Sequence, residues 1–127
     1  MQATGQRDTP AEMAIRRILH ARGHRYRVDF RPVRHLRSKA DIVFTRLKLA
    51  VYVDGCFWHG CPVHATIPTK NRVFWYEKIE ANRERDERVS SALRAAGWEV
   101  LRIWEHEEPQ RAVERVQAAL ERLGRRD

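Results

Sequence analysis

The segment Val51 to His64, VYVDGCFWHGCPVH, constrains this chain more than any other. It opens as an apolar strand that ends in a carboxylate, Asp54. The next ten residues hold both cysteines of the chain, two histidines, a Phe-Trp pair and two glycines. Polar and charged groups are costly to bury without partners, so this mixture is a poor core segment. It reads as an active-site strand followed by a loop that a metal organises.

The rest of the chain supplies a scaffold for such a strand. Thr9-Pro10-Ala11-Glu12 reads as a helix start: Thr9 can cap, Pro10 suits the first helical position, and Glu12 completes a capping box. Ile15, Ile18 and Leu19 give that helix an apolar face, and Gly23 stops it. Residues 25–30, 40–44 and 48–54 read as strands, with a basic loop from Arg31 to Lys39. The runs Asp41-Ile42-Val43-Phe44 and Leu49-Ala50-Val51-Tyr52-Val53 have the pattern of strands buried on both faces. Residues 55–70 form a long irregular loop, and long loops in compact domains are commonly functional.

A long helix follows over about Arg72 to Ala96, stopped by Gly97. Its expected buried stripe is Ile79, Val89, Leu93 and Ala96, with Asn82 to Arg88 mostly on the polar side. Trp98 to Trp104 reads as another strand, and Pro109 opens a last amphipathic helix to about Leu123. The order predicts one α/β domain over residues 1–127, a mixed sheet with helices on its faces. Residues 1–8 are expected to form a mobile arm.

Composition narrows the partners. Lys plus Arg minus Asp plus Glu is 25 − 17 = +8, with arginine preferred over lysine. Guanidinium forks match phosphate oxygens, which favours a polyanionic partner, most simply nucleic acid. The alternative is a basic surface with no specific partner. No apolar run is long enough to span a bilayer, and no signal-like segment opens the chain. The expected setting is therefore cytoplasmic. There, two nearby cysteines more often bind metal or stay reduced than pair with each other.

Three acids stand where a divalent cation could be held: Asp41 early in one buried strand, Asp54 at the end of the next, and Glu12 in the first helix. Cutting a phosphodiester needs charge neutralisation and an activated water. Mg²⁺ supplies both while bound through one or two carboxylates, waters and phosphate oxygens. Any one of these acids could instead serve as a strand cap or an ion-pair partner. His59, five residues after Asp54, could take the proton of a metal-bound water, or could simply contact solvent or zinc. Cys56, Cys61 and His64 offer three zinc ligands, and a structural site needs four. His106, just beyond the last strand, is the expected fourth. A Cys56–Cys61 disulfide and free thiols are the alternatives.

Phe57-Trp58 and Phe74-Trp75 are two aromatic pairs beside basic or catalytic residues. Aromatic wedges can enter between base steps, although core packing is their commoner fate. Phe74 is expected in the core, and Phe57 and Trp58 at the surface. Histidines 20, 24 and 35 lie among arginines and read as solvated or phosphate-facing.

The blocks DGCFWHGCPVH, FWYEKIEANRERDERV and GWEVLRIWE, in this order, resemble the very-short-patch repair (Vsr) mismatch endonucleases. Arg7 to Glu12 is similar to the start of that family's first helix, and Lys39 to Val43 to its metal-binding strand. The likeness runs over about residues 7–107. It implies a restriction-endonuclease-like (PD-(D/E)XK-type) fold with a structural zinc, and Mg²⁺-dependent nicking of DNA beside a T:G mismatch. It also implies roles for particular residues. Asp41 and the Val53 carbonyl would hold Mg²⁺, His59 would be the general base, and Glu12 would reach the metal's water shell. Cys56, Cys61, His64 and His106 would bind zinc. Phe57, Trp58 and Trp75 would intercalate, and Lys78 and Asn82 would read the mismatch.

The chain departs from the family at three places. Asp54 stands where the best-known form has a histidine, and is assigned here to metal binding or support of the metal site. The lysine of the PD-(D/E)XK pattern is missing, as in this family generally. Only Met1 to Gln6 precede Arg7, where the family carries a longer basic arm that wraps into DNA.

The expected protein is thus a monomeric, strand-nicking endodeoxyribonuclease of Vsr type acting on double-stranded DNA. It would be bacterial, cytoplasmic and nucleoid-associated when on DNA, with mismatch-repair proteins as candidate partners. The alternative is a Vsr-like nuclease of a restriction or phage-defence system without T:G specificity. A noncatalytic, zinc-stabilised DNA-binding protein is a further reading.

Overall fold

The computed structural model describes residues 9–55 and 70–126. Its elements run α1 (Pro10–Ala21), β1 (Arg27–Phe30), β2 (Ala40–Phe44), β3 (Leu49–Asp54), α2 (Arg72–Ala95), β4 (Glu99–Trp104) and α3 (Pro109–Arg126). The four strands form one mixed sheet in the order β1-β2-β3-β4. The pairs β1–β2 and β2–β3 are antiparallel, and β3–β4 is parallel.

The helix ends follow local chemistry. Thr9 accepts a hydrogen bond from the Glu12 amide at 3.2 Å, which satisfies one of the first-turn donors. Glu12 itself turns inward. Its carboxylate is 2% exposed and takes Arg16 at 3.2 Å. Both predicted glycine stops sit in the left-handed region, Gly23 at φ 83° and Gly97 at φ 92°. In each case the following amide reaches back across the last turn, His24 to the Leu19 carbonyl and Trp98 to the Leu93 carbonyl. This is the Schellman closure that glycine permits without strain.

The sheet is packed on both faces, by two different cores. One unites Ile15 and Leu19 of α1, Ile42, Phe44, Leu49, Val51 and Ile103 of the sheet, and Ala112, Val113, Val116 and Ala119 of α3. The other gathers Ala40, Val43, Ala50, Tyr52 and Val100 under Leu93 of α2, with Val89 and Trp98 at its edge. Burial of each large aliphatic side chain contributes about 1.5–3 kcal/mol. Such burial explains why β2 and β3 carry apolar residues toward both faces.

The structure corrects four readings. The first strand begins at Arg27 rather than at residue 25. Ala96 is exposed where it was expected in the buried stripe of α2, because it is the residue on which the chain turns toward β4. Asn82, expected on the polar side, is buried together with Ile79, Ser90 and Leu93. Phe74, expected in the core, is 56% exposed. It lies on the first turn of α2, well before the part of the helix that covers the sheet.

Candidate active site

Strand polarity gathers the acids. Parallel β3 and β4 end together at Asp54 and Trp104. Antiparallel β2 begins beside the end of β3, so Asp41 arrives at the same edge. Carboxyl ends of parallel strands are a common place for ligands, because the chain leaves the sheet there through loops. The chain continues past this edge at Gly55, the last described residue after β3. The Glu105 amide donates to the Asp54 carbonyl at 2.9 Å, which continues the pairing one step past the strands.

Asp41 is the electrostatic centre. Its Oδ2 accepts a hydrogen bond from the Val53 amide at 2.7 Å. Its pKa is nevertheless raised to about 7, chiefly by burial, and further by the charges of Glu12, Asp54 and Asp29. The Val53 hydrogen bond works in the opposite direction without overcoming them. Asp29 sits between Val28 and Phe30, which pair with Ile42 and Ala40, so it lies across the ladder from Asp41. Its φ of 49° is the left-handed region, a conformation that aspartate tolerates better than most residues. The edge therefore concentrates negative charge around one carboxylate, and a cation would relieve it.

Asp54 is held differently. It is 8% exposed and paired with Arg102 at 3.0 Å. Arg102 also donates to Ser90 and to the Asp86 carbonyl, both on α2. Sequence reasoning missed this arginine. The available signal was a cation inside an otherwise apolar strand, Val100-Leu101-Arg102-Ile103.

The expected site residues divide into four groups. Glu12, Asp41, Val53 and Asp54 come together at one edge. Among the described residues, no group of three His, Cys, Asp or Glu side chains is close enough to hold a metal ion alone. His106, the expected fourth zinc ligand, is exposed beyond β4, its ring stacked at 6.4 Å on that of Trp104. Cys56, Phe57, Trp58, His59, Cys61 and His64 lie outside the described residues.

The first turns of α2 carry the remaining candidates. Among the described residues, the exposed large hydrophobics are Val73, Phe74 and Tyr76, all in one turn of this helix. Trp75 is half-buried and packs edge-on against Phe74 at 5.2 Å, while Arg72 lies over the Tyr76 ring at 5.8 Å. Lys78 is exposed. Asn82 is 6% exposed, so contact between its amide and a base requires rearrangement around it.

Comparison with known proteins fits this geometry. The profile of the family described as DNA mismatch endonuclease Vsr matches residues 1–64. The type II nicking enzyme V.NaeI of Lentzea aerocolonigenes is 49% identical over 125 residues, 97% of this chain and 75% of that protein. The type II nicking enzyme V.XorIIP of Xanthomonas oryzae is 40% identical over 109 residues, 84% of this chain and 77% of that protein. The DNA mismatch endonuclease Vsr of Escherichia coli K12 is 35% identical over 106 residues, 83% of this chain and 66% of that protein. The fold is a mixed α/β sheet with helices on its faces and acids gathered where β3 and β4 end, as suits an endonuclease of this family. The chain belongs to the Vsr family of DNA endonucleases.

Proposed function

We propose that this chain is a Mg²⁺-dependent endonuclease that nicks one strand of duplex DNA, with Asp41 at the centre of its active site. The observation that carries this reading is the Asp41 environment. A single carboxylate has its pKa raised to about 7, chiefly by burial and further by the charges of Glu12, Asp54 and Asp29. Such a site favours either a proton or a cation.

The donor set suits magnesium. Asp41 and the Val53 carbonyl are hard oxygen donors, and Mg²⁺ keeps several waters rather than requiring a cage of side chains. When bound, it would neutralise charge on the phosphate and lower the pKa of a water. Asp41 would anchor the cation, with Glu12 and Asp54 at the surrounding water. His59 would take the proton from the attacking water. The products would be a 5′ phosphate and a 3′ hydroxyl.

The remaining assignments belong to the same reading. Cys56, Cys61, His64 and His106 would hold a structural zinc that pins the loop to the end of β4. His106 suits this role, since it stands two residues past the strand end, and the Asp54 carbonyl is bonded to its neighbour Glu105. Phe57, Trp58 and Trp75 would enter the base stack, and Lys78 and Asn82 would contact the mismatch. The exposed aromatic turn of α2, set between Arg72 and Lys78, supports DNA contact on that side. The sheet order and the placement of the acids support a restriction-endonuclease-like fold in a single domain. No described helix is long and apolar enough to cross a membrane. We take the protein to work as a cytoplasmic monomer, in contact with mismatch-repair proteins.

Substrate choice is the most demanding part of the proposal. The test compares a duplex bearing one T:G mismatch with its matched counterpart, in Mg²⁺. Nicking of the mismatched strand alone supports repair specificity. Equal nicking of both duplexes removes that specificity and leaves the nuclease.

A further inference from the structure

One guanidinium joins the cleavage edge to the helix that faces DNA. Arg102 Nη1 donates to Asp54 Oδ1 at 3.0 Å. Nε donates to Ser90 Oγ at 3.2 Å, and Nη2 to the Asp86 carbonyl at 3.3 Å. Its flat face lies 4.3 Å from the centre of the Tyr52 ring, whose hydroxyl is bonded to that of Ser38 at 2.9 Å. All three nitrogens and the face of the group are therefore committed. Only a planar fork can make these contacts at once, and a lysine ammonium cannot.

The placement is costly unless it serves something. Asp54 is 8% exposed and Ser90 2%, and a charge pair in such surroundings gives up hydration that its mutual attraction only partly returns. An apolar residue at 102 would fit a strand whose Val100 and Ile103 are already buried.

The geometry points to Arg102 as a positioning residue. It fixes the Asp54 carboxylate at the cleavage edge and ties that edge to α2, whose first turns carry Trp75 and Lys78. This rests on the nicking function proposed above. Asp86 and Lys78 are eight residues apart on one helix, about 12 Å at 1.5 Å per residue. A shift of the DNA-facing turn is thus carried along a rigid rod to the Asp54 partner.

The test is a double-variant cycle with wild type, Arg102→Met, Asp54→Asn and the two combined, and with Arg102→Lys as the conservative variant. Single-turnover nicking is measured in Mg²⁺, and DNA affinity in EDTA. Loss of a group that supports a metal-site carboxylate commonly lowers activity about 10- to 100-fold. That drop is expected for each single variant, with DNA affinity changed less than about threefold and with no rescue by lysine. The combined variant is expected to be no slower than the slower single one. Multiplying losses, a wild-type rate for Arg102→Met, or a loss explained by DNA affinity alone would overturn the assignment.

Absence of nicking by the wild type would count against the function instead. The same cycle read by thermal unfolding needs no substrate and then decides the clamp. Non-additive shifts in Tm are expected, and additive shifts would overturn it.

Discussion

The two faces of the sheet are built on different terms. The face under α1 and α3 is an apolar core in which Leu19, Ile42, Leu49, Val51, Val113 and Val116 are completely buried. The face under α2 mixes Leu93 and Val100 with Tyr52, Ser90, Asn82, Asp54 and Arg102. Among the described residues no buried side-chain nitrogen or oxygen lacks a partner, so the polar face is satisfied rather than defective. Hydrogen-bonded polar groups add little net stability but fix geometry, whereas apolar burial stabilises without fixing a particular atom. The first face chiefly holds the fold together, although its α1 also brings the buried Glu12 close to Asp41, and the second chiefly holds polar groups in place.

The contrast can be broken by mutation. Ile103→Ala, on the apolar face, is expected to cost about 2–5 kcal/mol in denaturant unfolding. A loss below about 1 kcal/mol would remove that face from its stabilising role.

Asp41→Asn should act in the opposite direction, and only above acidic pH. With a folded-state pKa of about 7 against 3.8 for the free group, the native carboxyl keeps its proton while the unfolded one ionises. That difference is absent below about pH 4, and it destabilises the wild type progressively as pH rises to about 7. One pKa unit corresponds to about 1.4 kcal/mol, so the variant should gain up to about 4 kcal/mol over wild type at pH 8 in EDTA. Urea melts at pH 4 and pH 8 would reveal it, and an equal gap at both would refute it. In the wild type, saturating Mg²⁺ should close much of this gap, because cation binding displaces the proton.

Ser90→Ala removes one hydrogen bond from Arg102 and is expected to cost about 1 kcal/mol. Phe74→Ala should change stability by less than about 0.5 kcal/mol, as exposed positions do. A cost of about 3 kcal/mol would return Phe74 to the core.

Much of the fold could be read from the residues. β2 and β3 were legible because continuous apolar runs specify strands covered on both faces. The ends of α1 and α2 were legible because Gly23 and Gly97 stop helices by a local mechanism. The packing of α2 was not. Its buried stripe passes through Asn82 and Ser90 at helical spacing from Ile79 and Leu93, but their polar character gave no sign of burial, and the Arg102 that holds Ser90 comes from the next strand. Phe74 was misplaced for a related reason. Apolar character predicts burial only where the helix covers something, and its first turn does not.

Around the candidate site, the placement of Asp41 and Asp54 near strand ends was legible in the sequence. The Arg102 contact was not, because it spans 48 residues and depends on strand order.

The most direct measurement is strand cleavage of a duplex carrying one T:G mismatch, in Mg²⁺, by wild type and Asp41→Ala side by side. A single break in one strand by the wild type, and none by Asp41→Ala although it still binds the duplex, is the predicted result. Cleavage by Asp41→Ala at the wild-type rate, or no cleavage by either protein, would contradict the central place given to Asp41.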